Sequence, residues 1–200
     1  MKMLRIIAIW LVCWGVWTGW AVRQAQSAEV DAPMSARYLL MDANGRAVTQ
    51  EDFPRQFQLI AFGYTYCPDI CPTTLAEMAR VLARLEADGD RLQALFITVD
   101  PERDSAAVLR KYTEFFHPRI MGLTGSTALV RRAADNFRVR YEKVREPGAP
   151  ADRYAVDHSA GMFLLGPDGF YLRKFAYGTP PDDIADAIRE LMARFPRGRR

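Results

Sequence analysis

Metal-binding and disulfide-forming residues are scarce in this chain. Its 200 residues include three cysteines and two histidines. Structural zinc takes four protein ligands and catalytic zinc usually three plus water, so zinc is poorly served by two thiolates and one imidazole. Charge of one sign is also lacking. The 27 basic residues face 24 acidic ones, a net +3, which is too mild to argue for a nucleic-acid partner. The tail from Phe195 to Arg200 is locally basic and reads as a solvated end. Internal repeats and low-complexity tracts are absent. Tryptophan is missing after residue 20: Trp10, Trp14, Trp17 and Trp20 account for all four. A chain cut after that segment has no indole, so fluorescence reports directly on cleavage.

The segment holding those tryptophans is the first thing that is present. Lys2 and Arg5 precede an uncharged run from Ile6 to Val22, and Arg23 closes it. A basic start followed by an apolar run is an export or insertion signal. Its length sits at the lower edge for a membrane helix, which needs about 17–25 residues. Ala25-Gln26-Ser27 is a weak cleavage site, so the pattern favours an uncleaved anchor over a cleaved signal peptide. Lys2 and Arg5 keep the N-terminus cytoplasmic, which places the following domain outside the inner membrane of a bacterium. It is periplasmic whether tethered or released. Cys13 follows Val12 rather than a small residue and does not read as a lipid-attachment site. The expected organisation is an anchor or signal peptide at 1–23, a linker at 24–34, a globular domain at 35–196 and a basic tail at 197–200.

Within the domain, the apolar patterning predicts strands at 36–41, 57–64, 92–99 and 120–123, followed by a hairpin of 162–165 and 170–176 around Pro167-Asp168-Gly169. Helices are predicted to begin within 68–73, over 105–116, around Leu129 to Phe137, and from Thr179-Pro180 onward. Thr74 and Glu77 have the spacing of a capping box. Residues 145–153 read as a Pro/Gly-rich loop. Strands alternating with helices and ending in a hairpin predict an α/β domain with a central mixed sheet and helices on both faces.

Cys67 and Cys71 are the two cysteines of this domain, and Cys67 falls where a strand gives way to a helix. In an oxidising compartment they pair by default. Four-residue spacing brings two side chains together on a helix, and a helix N-terminus favours thiolate. A structural bridge, a redox pair and part of a metal site all remain open on this evidence. Two thiolates and an imidazole form a soft set of low coordination number, which suits copper, Cu(I) in particular. His117, before Pro118, reads as a surface or capping residue. His158 lies in a predicted loop beside a core strand, a common place for site residues. A peroxidase is disfavoured, because the T-x-x-C pattern of such enzymes has Pro68 and Tyr64 at the two threonine positions.

Four stretches carry a resemblance: FGYTYCPDICPTTL at 62–75, FITVDPERD at 96–104, HPRIMGLTG at 117–125 and VDHSAGMFLLGPDG at 156–169. In sequence, order and spacing they resemble the SCO/SenC family, named for synthesis of cytochrome c oxidase, over residues 36–195. The resemblance implies a thioredoxin-like fold on an N-terminal membrane tether. It implies one copper ion per monomer, Cu(I) or Cu(II), held by Cys67, Cys71 and His158. It also implies an assembly role at the binuclear copper centre of cytochrome c oxidase subunit II. Tyr66 stands where many relatives have histidine, a position without a known ligand role. Asp157 is expected to orient the segment bearing His158, and Asp69 to cap the helix between the cysteines. The alternative function is a thiol–disulfide oxidoreductase that uses Cys67 and Cys71 to reduce the cysteines of the oxidase subunit. Expected partners are subunit II, a periplasmic copper donor, a thioredoxin-like reductant that keeps the thiols open, and the membrane.

Overall fold

A computed structural model describes residues 34–150 and 152–195. The expected anchor, nearly all of the linker and the basic tail lie outside the described residues. Among the described residues, no helix is long and apolar enough to cross a membrane.

The core is a five-stranded mixed sheet in the order β5-β4-β3-β8-β9. Strand β3 (Phe57–Gly63) runs at its centre, parallel to β4 (Leu92–Thr98) and antiparallel to β8 (Met162–Leu165). Beyond β4 lies parallel β5 (Ile120–Leu123), and beyond β8 lies antiparallel β9 (Tyr171–Phe175). All seven residues of β3 are buried. That explains its uninterrupted apolar run, since a strand covered on both faces has no solvent side to alternate with.

One face of the sheet is marked by Ala61, Gly63 and Phe96, which share a side by register. Helices α1 (Ile70–Leu85), α2 (Ala106–Phe116) and α4 (Pro181–Arg194) cover it. Leu75, Met78, Val81, Leu82 and Leu85 form the buried stripe of α1, and Ile184, Ile188 and Met192 that of α4. Just past α4, Phe195 meets Phe57 edge-on at 5.8 Å. The opposite face carries a triad of Phe62, Phe163 and Phe137, with centroids 5.3–6.0 Å apart. Phe137 directly follows α3 (Thr127–Asn136), which packs with the small hairpin of β1 (Leu39–Met41) and β2 (Ala47–Thr49). Each such buried side chain contributes about 1.5–3 kcal/mol through removal from water.

Several local expectations need correction. The first strand begins at Leu39 rather than Ala36, whose φ of 42° breaks the extended run. Thr74 and Glu77 form no capping box, because α1 starts at Ile70 and Thr74 is already buried within it. Asp69 occupies the N-cap position, but its side chain makes no capping hydrogen bond. The last helix starts one residue later than expected: Pro180 is the N-cap, Pro181 takes the first turn, and the Thr179 hydroxyl donates to the Ala176 carbonyl instead. The loop at 145–153 is flanked by two unpredicted strands, β6 (Tyr141–Val144) and β7 (Ala155–His158), which pair as a separate antiparallel ribbon. Three of the four β6 residues are exposed, so the ribbon leaves no apolar alternation to find. Helices α2 and α3 begin on Ser105 and Ser126, whose hydroxyls accept the amides of Val108 and Leu129, as N-cap serines do.

Candidate metal centre

Three segments converge at the C-terminal edge of β3. The first is the turn after β3. Thr65 donates its amide and hydroxyl to Asp104 at 3.0 and 2.5 Å, and the Cys67 amide donates to the Tyr64 carbonyl at 3.3 Å. Cys67 therefore sits in a turn three residues before α1, at the strand-to-helix junction where its sequence position puts it. Cys71 is in the first turn of α1 and only 1% exposed. The third segment is β7. Its last residue is His158, which lies on a strand rather than in a loop.

Cys67 Sγ, Cys71 Sγ and a ring nitrogen of His158 all lie within 4.8 Å of one another. Both cysteines are free thiols. The Nε2 of His158 is 3.4 Å from Cys71 Sγ, although the two residues are 87 positions apart in sequence. The other ring nitrogen, Nδ1, is 3.2 Å from the Ser159 carbonyl. A carbonyl only accepts, so Nδ1 carries the proton and Nε2 keeps its lone pair toward the sulfurs. Burial holds the imidazole pKa below its ordinary value, against smaller upward pulls from the Ser159 bond and the Asp157 charge. The ring is thus a neutral base, ready to ligate.

The Cys71 thiol behaves differently from the expectation for a helix N-terminus. Burial pushes its pKa well up, a hydrogen bond to the Tyr64 backbone opposes this, and the Cys67 and Asp104 side chains add to the rise. A thiolate here needs a compensating positive charge. The close packing has a specific cause in Gly63: a Cβ on this residue would lie 2.7 Å from Cys71 Sγ and 2.8 Å from the Phe96 ring tip. The sulfur occupies space that any larger residue would fill.

The expected site residues divide cleanly. Cys67, Cys71 and His158 come together, and they are the one such ligand group among the described residues. His117 stands apart as the C-cap of α2, with Nδ1 accepting the Arg119 amide at 3.1 Å. Asp157 is exposed on the ribbon and acts on His158 through its charge. Tyr66 is 63% exposed, and its ring lies 4.7 Å from the Arg103 guanidinium.

Sequence reasoning missed Tyr64, Arg103, Asp104 and Tyr154. The Tyr64 hydroxyl accepts the Val156 amide at 3.2 Å, and its ring stands edge-on to His158 at 6.1 Å. Asp104 is fully buried and also accepts the Thr98 hydroxyl at 2.7 Å. Tyr64, Arg103 and Asp104 lie inside FGYTYC and FITVDPERD, so the signal was in plain view without a partner to interpret it.

Chemically, the group offers two soft sulfurs and one borderline nitrogen with room for one small ion. Two thiolates with a monovalent cation leave one net negative charge, which the N-terminal end of α1 stabilises. Such a set selects Cu(I) over hard, oxygen-seeking cations.

Comparison with known proteins adds independent findings. Residues 26–193 match the SCO1/SenC family. The human mitochondrial protein SCO2 homolog is 40% identical over 180 residues, covering 88% of this chain and 64% of the relative. The chain thus spans a little under two thirds of the length of that relative. Among solved structures, Bradyrhizobium japonicum ScoI with copper bound superposes with a TM-score of 0.70 at 36% identity, covering 77% of this chain and 96% of that one. Yeast Sco1 with copper bound gives 0.72 at 35% identity, over 81% and 90% of the two chains.

Proposed function

Since this chain belongs to the SCO1/SenC family, we propose that it is a copper-binding assembly factor for cytochrome c oxidase. One copper ion per monomer, as Cu(I) or Cu(II), is held by Cys67 Sγ, Cys71 Sγ and His158 Nε2. The delivery target is the binuclear copper centre of subunit II, reached from a domain that lies outside the inner membrane on its N-terminal anchor. A separate donor loads the copper. The single observation that carries this reading is the convergence of two thiols and an imidazole within 4.8 Å. Copper is cargo in this reading, so the site's task is to hold it firmly and release it to a partner.

Those residues divide the work. Cys71 provides a buried, rigid sulfur and Cys67 a half-exposed one. His158 closes the set from the separate β6–β7 ribbon, a ligand that can withdraw without unfolding the sheet. Copper stoichiometry of the reduced protein, compared with His158→Ala, tests the reading. We expect close to one copper per wild-type chain and a large loss of affinity in the variant. Equal binding by both removes the imidazole from the site. Normal oxidase assembly with the variant overturns the metallochaperone role.

One observation favours a second use. The Sγ atoms of Cys67 and Cys71 lie within 4.8 Å of each other, so they form a dithiol as well as a ligand pair. The more exposed Cys67, as thiolate, attacks a disulfide of the oxidase subunit and gives a mixed disulfide with one partner thiolate expelled. Cys71 then attacks the Cys67 sulfur, which releases the second partner thiolate and leaves a Cys67–Cys71 bridge. Two electrons pass from this protein to its partner, and a thioredoxin-like reductant restores the thiols. This exchange needs no imidazole, so His158→Ala separates it from copper delivery.

A further inference from the structure

The loop between β4 and α2 touches both arms of the site. Asp104 binds Thr65 on the cysteine arm. Its neighbour Arg103 reaches the histidine arm instead, donating from Nη1 to the Tyr154 carbonyl at 3.0 Å, one residue before β7. The Arg103 guanidinium lies 3.7 Å from the Tyr154 ring centre and 4.7 Å from that of Tyr66, which precedes Cys67. It also lies 5.8 Å from the Tyr64 ring. Fully buried Asp100 completes the unit, accepting Arg103 Nε at 2.5 Å and the Tyr154 hydroxyl at 2.8 Å. Only 17% of the Arg103 side chain is exposed, and its buried Nη2 has no hydrogen-bond partner among the described residues. An unsatisfied buried donor costs free energy. The position is held despite that cost.

We propose that Arg103 is a positioning residue that braces the histidine arm against the cysteine arm, with Tyr66 and Tyr154 as the faces it joins. The inference rests on the copper-binding reading above. It assigns a task to the position before Cys67, where this chain has tyrosine: the ring stacks on the brace and contributes no ligand atom. Arginine suits this role because its planar fork stacks and donates at once, whereas lysine supplies only a mobile point charge. A metal held by residues from two separate segments depends on how well those segments are fixed before the ion arrives.

Arg103→Lys, which keeps the charge, is the test, with Tyr66→Leu as a surface variant that spares the fold. In the metal-free protein, amide hydrogen exchange of residues 155–158 is expected to quicken at least about tenfold in Arg103→Lys, while the amides of β3 and β4 keep wild-type rates. Cu(I) affinity by chelator competition should fall about 10–100-fold, the usual range for residues that orient ligands. The Cu(II)–thiolate absorption band should shift in the same variant. Tyr66→Leu should lower affinity by at least about threefold, and the double variant should be no worse than Arg103→Lys alone, because both changes break one unit. Wild-type exchange rates, or unaltered affinity and spectrum in Arg103→Lys, overturn the brace, as does simple additivity. If Arg103→Lys does not fold, wild-type affinity in Tyr66→Leu overturns it. A wild-type protein that takes up no copper refutes the proposed function instead, and the exchange measurement still decides the brace.

Discussion

Gly63→Ala is a one-methyl change that should damage both the fold and the site. The added Cβ would stand 2.7 Å from Cys71 Sγ and 2.8 Å from Phe96 Cε2 and Cζ. Ordinary contact between such atoms is about 3.5–4.0 Å, so both the sulfur and the ring must give way by about 1 Å. Phe96 is fully buried in the centre of the sheet and has little freedom. Cys71 is only 1% exposed as well, so the strain is shared, and a sulfur displacement approaching that size exceeds the roughly 0.5 Å within which a functional site must be held. Overpacking of this kind costs about 1–3 kcal/mol, and the stiffer unfolded chain returns about 0.4–1 kcal/mol. The net loss is about 1–2 kcal/mol, or roughly 2–8 °C in Tm for a domain of this size. Thermal unfolding of the metal-free protein measures the packing cost, and chelator competition measures copper affinity, which should fall at least about tenfold. Wild-type values in both assays would show that the cysteine is not pinned by this glycine and would refute the reasoning.

Three further outcomes follow from the same geometry. Iodoacetamide should modify half-exposed Cys67 well before Cys71, which is 1% exposed, as read by peptide mass spectrometry; equal rates contradict the buried position. Asp104→Asn should destabilise the protein by about 1–3 kcal/mol in urea, because Asp104 accepts three hydrogen bonds, two from Thr65 and one from Thr98, the amide keeps a single acceptor oxygen, and a buried donor left unsatisfied costs about 1–3 kcal/mol; burial raises the Asp104 pKa, so removing the charge offsets part of this, and a neutral or stabilising effect would show that the lost bonds do not outweigh the burial of the acid. Copper affinity should rise with pH from 7 to 9 by about tenfold per unit for each proton released. The Cys71 pKa is raised, so its thiol keeps its proton at pH 7 and must lose it to bind. The His158 pKa is lowered, so protons compete with metal for the imidazole only below its usual range near pH 6.5. A flat profile from pH 7 to 9 in chelator titrations removes the Cys71 proton from the binding step.

Strong apolar segments were legible from sequence. Phe57–Gly63 and Ile120–Leu123 were found nearly to the residue because buried strands leave continuous apolar runs. The ribbon β6–β7 was not, because exposed strands such as Tyr141–Val144 lack that pattern. Helix starts were misread at Thr74 and Thr179 because both residues have capping chemistry but sit on the wrong side of the first helical turn. At the site, Cys67, Cys71 and His158 were named because few residue types carry soft-metal chemistry and this chain has few of them. Arg103 and Tyr154 were missed because charged and aromatic residues are common, and their role consists entirely of mutual contact.

The sequence by itself determined the chemical inventory: two sulfurs at a strand–helix junction, a spare histidine and a sheet rich enough in apolar residues to hold them. Only the tertiary structure decided that His158 meets Cys71 across 87 positions at 3.4 Å and that Gly63 leaves the space Cys71 fills. It also decided the protonation of the site. The helix start alone argues for an easily ionised Cys71, but burial raises that thiol's pKa. Spacing along a chain sets which groups are near neighbours, whereas solvent exclusion depends on everything packed around them.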